Sequence, residues 1–123
     1  MKRVFISFAM EDKTYRDFLV GQSKNENSPF TFVDMSVKEP WKSEWKTKCR
    51  TKIKGCDGVI GLISKNTPAA DGEIFELKCA YEEDVPVMLM YINDDRPVLP
   101  AFLKNKRINV WSWANIKAFI SKL

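Results

Sequence analysis

Carboxylates crowd the segment GEIFELKCAYEEDVPVMLMYI, residues 72–92, immediately before an almost wholly apolar stretch. The chain contains no histidine, which excludes Ser-His-Asp and Cys-His catalysis and H-E-x-x-H zinc chemistry. Any reaction must therefore use carboxylates, lysines, hydroxyls or backbone dipoles. Glu76 is the strongest candidate, because it lies among apolar neighbours in the first turns of a predicted helix, where the helix dipole favours a negative charge.

Glu76 also fits two plainer interpretations. Spacing alone is compatible with a solvated helix face formed by Glu73, Glu76 and Glu83. Glu76, Leu77 and Lys78 also form half of a nuclease E-x-K motif, but that motif would lie on a helix and lacks an obvious partner aspartate for a metal ion. We therefore predict no metal site, and the solvated face stays open as an alternative.

The composition is that of one soluble globular domain. The chain has 123 residues, 45% of them hydrophobic and 29% charged, and we predict a single domain over residues 1–123. Its longest apolar runs, such as residues 85–92, are too short to cross a membrane, and the N-terminal MKRVFIS lacks the features of a signal peptide. We expect a cytoplasmic protein with no membrane partner. The three cysteines form no C-x-x-C motif and indicate neither a disulfide framework nor a zinc site.

The net charge of +4 comes from 20 basic and 16 acidic residues. The basic excess is concentrated in two clusters: Lys42, Lys46, Lys48, Arg50, Lys52 and Lys54, and Lys104, Lys106 and Arg107. A nucleic-acid patch would have this character, but so would a solvated helix face. We favour the solvated face and do not expect a nucleic-acid partner.

Strand and helix patterns alternate along the whole chain. Strands are predicted at residues 3–8, 29–33, 58–63, 85–92 and 108–111, and helices at residues 11–21, 43–53 and 74–83 and at the C-terminus. Short links between alternating strands and helices require a parallel sheet with helices on both faces. The predicted fold is therefore α/β, a flavodoxin-like three-layer sandwich around a five-stranded parallel sheet of order 2-1-3-4-5.

Local signals add detail to two of the helices. Gly21 is predicted to end the first helix. Ser43 is predicted to cap the second, whose buried face would carry Trp45, Cys49 and Ile53 at intervals of four residues.

In such a sheet a ligand binds beyond the carboxyl ends of the strands, where the strand order reverses between the first and third strands. The loops at residues 8–12, 34–41 and 64–76 should therefore contain the functional residues.

Several segments together resemble the bacterial TIR-like proteins of the Thoeris antiphage type, within the wider TIR domain superfamily. RVFISFAMED is similar to the first strand and loop of those domains, and FTFVDMS to the second strand and the loop after it. IKGCDGVIGLISKNT resembles the third strand. In residues 72–92, the spacing from Glu76 through Ala80 to Pro86 and Val87 resembles the family's glutamate helix and the strand that follows.

One position departs from the family pattern. Gly72 stands where the W-x-x-x-E motif of TIR enzymes has its tryptophan. Phe75, Trp41 or Phe8 would then have to stack the adenine or nicotinamide ring. We expect Trp45 in the core, and the sequence leaves Trp41 open.

The resemblance implies an enzyme that cleaves the nicotinamide glycosidic bond of NAD. The product would be an ADP-ribose derivative, cyclised or conjugated, that acts as a signal in antiphage defence. NAD would be the substrate, and no cofactor is expected. Nicotinamide leaves as a neutral molecule, so a single carboxylate, Glu76, would suffice to hold the ribose hydroxyls and stabilise the positive charge that develops on the sugar.

The resemblance also implies residues that bind the dinucleotide. Ser7 and Phe8 would border it, and Asp34 and Ser36 would open the mobile loop that closes over it. Ser64 would bond the nicotinamide ribose or orient the catalytic carboxylate. A place in the core is the alternative for Ser7, and ordinary turn chemistry for Asp34 and Ser36.

Two classes of partner follow from the resemblance. TIR-like faces would support self-association, and a diffusible product would reach an effector protein. The alternative function is a non-catalytic TIR-like module that binds other proteins through its helix faces or through the loop after the second strand, and Gly72 favours it.

Overall fold

The computed structural model describes residues 1–28, 30–35 and 37–123. The strands are β1 (Lys2–Ser7), β2 (Phe30–Val33), β3 (Gly58–Ile63), β4 (Val87–Tyr91) and β5 (Ile108–Asn109). The helices are α1 (Lys13–Asn25), α2 (Ser43–Lys54), α3 (Asp71–Glu82) and α4 (Trp113–Ser121). Among the described residues, no helix has the length and the apolar character needed to cross a membrane.

The five strands form one parallel sheet of order β2-β1-β3-β4-β5, which confirms the predicted topology. The central strand β3 is buried along its whole length, as expected for a continuously apolar strand covered on both faces. Ser7 at the end of β1 is in register with Gly61 of β3. The order reverses between these two strands, so the carboxyl end of β1 lies at the predicted ligand edge.

Two hydrophobic clusters fill the spaces on either side of the sheet. One contains residues of α1 and α4, including Leu19, Ile116 and Ile120. The other contains residues of α2 and α3, and within it Trp45 and Cys49 are buried with Ile53 as predicted. The molecule is therefore a three-layer sandwich. Helix α2 packs side by side with α3, the helix that carries Glu76.

Predictions at several element ends were wrong. Helix α1 continues through Gly21 to Asn25 and is followed by Asn27, whose φ of 49° lies in the left-handed region. Asparagine tolerates that conformation and ends helices as glycine does. Ser43 is the first residue of α2 and not its cap, since the capping position is Lys42.

Strand β4 begins at Val87, two residues later than predicted. Asp84, with φ of 56°, forms the turn after α3, and Pro86 has no N–H to donate to a neighbouring strand. The fifth strand is also shorter than predicted and ends at Asn109.

Candidate active site at the carboxyl edge of the sheet

The side chain of Glu76 is completely buried and lies among polar partners at the carboxyl edge of the sheet. The Ser7 hydroxyl, at the end of β1, donates a hydrogen bond of 2.9 Å to Glu76 Oε1. The Lys38 ammonium donates to both carboxylate oxygens, at 2.7 and 2.8 Å. Trp45 packs in the adjoining core, and Lys38 supplies the countercharge to Glu76.

Helix α3 places Glu76 toward the sheet because its apolar residues turn the same way. Leu77 and Ala80 are fully buried in the core beneath the helix. Glu73 and Glu76, one turn apart, therefore both point inward, and each has no exposed surface. The alternative of a solvated face is wrong for these two glutamates.

Burial raises the pKa of Glu76 to about 7, and the contacts with Lys38 and Ser7 hold it below the value that burial alone would give. A carboxylate that titrates near neutral pH inside a protein is characteristic of functional sites. Glu76 therefore exchanges its proton in the physiological range.

Phe8 forms the aromatic wall of the site. It follows β1 directly, is 1% exposed, and has the Lys38 ammonium 4.1 Å from its ring centroid. The Arg16 guanidinium lies 5.5 Å from the same centroid, and Arg16 is paired with Asp34. Asp34 thus connects to the site through Arg16.

Glu73 is a second buried carboxyl group beside the first. Within the part of the chain that the structure describes, neither of its side-chain oxygens has a partner at full hydrogen-bonding geometry. Burial raises its pKa well above the usual range, and the Thr67 hydroxyl offsets part of that rise. Burial therefore favours the neutral form of Glu73.

A separate hydrogen-bond network joins the loops after β1 and β3. Ser64 Oγ donates to Asp12, and the Asn66 side chain donates to the same carboxylate at 2.9 Å. The backbone N–H of Ser64 donates to Thr67 Oγ1 at 3.0 Å. The Ser64 hydroxyl thus bonds to Asp12, whereas Ser7 is the hydroxyl that bonds to Glu76.

Phe75 lies on the outer side of α3, away from this cluster. Its ring is 5.7 Å from that of Trp45, and it lines surface cavities with Arg50 and with Trp41. Trp41 is 73% exposed. Of the sequence-predicted residues, Ser7, Phe8 and Glu76 are brought together, and Ser36 lies outside the described residues.

Lys38 and Arg16 are the members of the site that the sequence did not indicate. A lysine or arginine in a polar segment is ordinarily solvated, and nothing in the local sequence distinguishes these two. Gly72 was the available signal: a Cβ atom at this position would lie 3.0 Å from both Cβ and Cδ of Lys38. The glycine leaves room for the lysine side chain to reach Glu76.

No protein-family model matches the sequence, and no curated protein is similar to it at a significant level. Solved structures do share its architecture. The TIR domain of the Toll-related receptor TRR-2 from Hydra magnipapillata is 14% identical and superposes with a TM-score of 0.67, over 99% of this chain and 94% of that one. The chain has a TIR-like fold. This confirms the fold that the motif resemblance predicted.

Two further structures share the TIR-like fold. A prokaryotic SEFIR domain is 15% identical with a TM-score of 0.58, over 99% of this chain and 89% of its own. The TIR domains of the activated Roq1 resistosome, which directly recognises the pathogen effector XopQ, are 18% identical with a TM-score of 0.51, over 74% of this chain and 57% of theirs. At such identities the likeness establishes the fold, and activity must be argued from the site.

Proposed function

We propose that the protein cleaves NAD at its nicotinamide glycosidic bond and yields an ADP-ribose-derived signal, cyclic or conjugated, in bacterial antiphage defence of the Thoeris type. The observation that supports this is Glu76, a fully buried carboxylate held by Ser7 beside Phe8 at the ligand edge of a TIR-like sheet. The substrate is inferred from the motif resemblance, and the group that would act on it, Glu76, is inferred from the geometry.

The bond between ribose C1′ and the pyridinium nitrogen breaks, and its electron pair goes to that nitrogen. Nicotinamide therefore leaves neutral and needs no acid to protonate it. The sugar becomes cationic at C1′, and the Glu76 carboxylate stabilises that charge in a site from which water is largely excluded. A hydroxyl of water, or of an acceptor that becomes part of the signal, then attacks C1′ and forms the new C–O bond, and its proton passes to solvent.

The diffusible product would reach an effector protein in the bacterial cytoplasm, and TIR-like faces would allow the enzyme to self-associate.

The test is nicotinamide release from NAD by the purified protein, followed by chromatography. We expect Glu76→Gln to lower the rate about a hundredfold or more, because the amide keeps the shape and removes the negative charge. Glu82→Gln is the matched control, since it makes the same change on the same helix at a side chain that is 61% exposed. Equal rates for Glu76→Gln and wild type would contradict the proposal.

A second candidate function is a non-catalytic TIR-like module that binds other proteins. The Lys38–Glu76 pair favours it, because a neutralised carboxylate beneath Gly72 is also a stable structural arrangement. The same assay separates the two functions: an enzyme releases nicotinamide in a way that depends on Glu76, and a binding module does not.

A further inference from the structure

The Lys38 ammonium lies between the Glu76 carboxylate and the ring of Phe8, a position suited to a cation. The lysine side chain is 3% exposed, and its ammonium group contacts both oxygens of Glu76. The same ammonium lies over the ring of Phe8. A carboxylate opposite an aromatic face is a general arrangement for holding a cation, and here the protein's own lysine fills it.

The stem of the lysine packs on the start of α3 at Gly72. A Cβ atom at position 72 would lie only 3.0 Å from two carbons of the Lys38 side chain, so an alanine there requires the stem to shift by a few tenths of an ångström and a larger side chain requires more. The Lys38 side chain therefore packs in the space that the missing side chain of Gly72 leaves open.

Lys38 lies on the irregular connection between β2 and α2, whose described residues, 34–35 and 37–42, are held by side chains of the neighbouring helices, among them Arg16, which pairs with Asp34. The Trp45 indole donates to the Val37 carbonyl at 2.7 Å, and Lys52 donates to the Asp34 carbonyl at 2.8 Å. Val37 itself is 61% exposed. Segments with few buried contacts open at a lower free-energy cost than the core does.

We propose that Lys38 is an internal occupant of the cation position, so that this conformation is the closed state of the site. A ligand enters when a positively charged ring takes the place of the ammonium group between Phe8 and Glu76. The inference rests on the proposed function, since the pyridinium ring of NAD is such a cation.

A consequence for selectivity follows from the buried charge. Removing Lys38 leaves the Glu76 carboxylate without a countercharge, which is strongly unfavourable in a buried site. A ligand that brings its own positive charge keeps Glu76 ionised when it displaces the lysine, and a neutral ligand gains no such interaction. Pyridinium compounds bring such a charge, whereas neutral nicotinamide and the neutral dihydropyridine ring of NADH do not.

The primary test measures how fast the Lys38 amine of the folded protein reacts with acetic anhydride, with mass spectrometry of its peptide. Lys42 is the internal comparison, since it lies on the same connection with a side chain that is 51% exposed. We expect Lys38 to react roughly tenfold or more slowly than Lys42. Addition of 1-methylnicotinamide, a pyridinium cation with no glycosidic bond, should accelerate the labelling of Lys38 and leave that of Lys42 unchanged. Nicotinamide should accelerate the labelling of neither.

Two variants make the test independent of any one substitution. Gly72→Trp should expose Lys38 to the reagent, because a large side chain has no room beside the lysine stem. Glu76→Gln should do so by removing the partner of the lysine. Circular dichroism shows whether each variant is folded. Fast labelling of Lys38 in the unliganded wild type, or no acceleration by 1-methylnicotinamide, would overturn the inference.

The outcomes also separate this inference from the proposed function. Displacement of Lys38 by 1-methylnicotinamide without nicotinamide release from NAD would support the cation site and contradict the enzyme. Glu76-dependent release of nicotinamide with no change in Lys38 labelling would support the enzyme and overturn the role of Lys38.

Discussion

Glu73 and Glu76 show how two identical side chains one turn apart acquire different chemistry. Both are completely buried, but Glu76 has Lys38 and Ser7 as partners. Among residues 1–28, 30–35 and 37–123, neither oxygen of Glu73 has a partner at full hydrogen-bonding geometry, and the nearby Thr67 hydroxyl lowers its pKa only in part. Burial therefore raises the pKa of Glu76 to about 7 and leaves that of Glu73 well above its usual range. Glu76 therefore faces a cation, the Lys38 ammonium, whereas burial without such a partner favours the neutral form of Glu73.

We predict that Glu73→Gln flattens the dependence of stability on pH. Glu73 keeps its proton in the folded protein after the unfolded chain has lost its own near 4.5, so the free energy of unfolding falls as pH rises above that value. Glutamine has the same shape and no proton to lose. At about pH 5 the variant should match the wild type, and at about pH 8 it should be more stable by about 1–3 kcal/mol.

Urea denaturation at the two pH values measures this difference. The control is Glu44→Gln, because Glu44 is an exposed glutamate of α2 and its replacement should not change the slope. A Glu73→Gln variant that loses as much stability as the wild type between the two pH values would show that Glu73 is ionised in the folded state.

The elements around the site are constrained by close packing at the central strand. Gly61 of β3 is buried between α3 and β4, and a Cβ atom there would lie 2.8 Å from Leu89 Cδ2 and 2.9 Å from Leu77 Cδ2. Leu77 directly follows Glu76 in α3, so this approach sets how closely the helix lies against the sheet. In contrast, a Cβ atom at Gly21 of α1 would meet nothing within 4 Å.

We predict opposite effects for the same substitution at these two glycines. Gly61→Ala should lower the free energy of unfolding by about 1–3 kcal/mol, because the added methyl group overpacks the core. Gly21→Ala should raise it by up to about 1 kcal/mol, because alanine is the better helix former. Urea midpoints of the two variants and the wild type provide the measurement, and a stable Gly61→Ala protein would show that Leu77 and Leu89 can move aside.

At the scale of the molecule, all three cysteines fall in one of the two cores. Cys49, Cys56 and Cys79 belong to the cluster beneath α2 and α3. Burial raises the pKa of Cys79 to about 11 and also raises the pKa values of the other two thiols. The thiolate is the reactive form, so these groups report on the opening of the layer that holds Glu76.

We predict that iodoacetamide labels these thiols slowly in the folded protein and rapidly once urea unfolds it. The midpoint of labelling should coincide with the midpoint of the loss of helical circular dichroism, because the layer opens only with the whole domain. Mass spectrometry counts the labelled thiols. Rapid native labelling of Cys49, which is completely buried, would show that α2 detaches independently of the sheet.

The sheet order and the inward face of α2 followed from the sequence because both depend on local patterns. The apolar run of β3 and the four-residue spacing of Trp45, Cys49 and Ile53 constrain each element separately, and the rules for connecting parallel strands then leave few topologies. Element ends were less predictable. Gly21 continues its helix, and Asn27 provides the left-handed turn that ends it.

The state of Glu76 was decided by the tertiary structure. The sequence does not distinguish a glutamate on a solvated helix face from a buried one. The environment of the side chain depends on groups that reach it from other elements. Ser7 comes from the end of β1, and Lys38 arrives on an irregular connection and fits because Gly72 has no side chain. Burial and pairing of a charge are properties of the folded arrangement, since they arise from distances between residues that lie far apart along the chain.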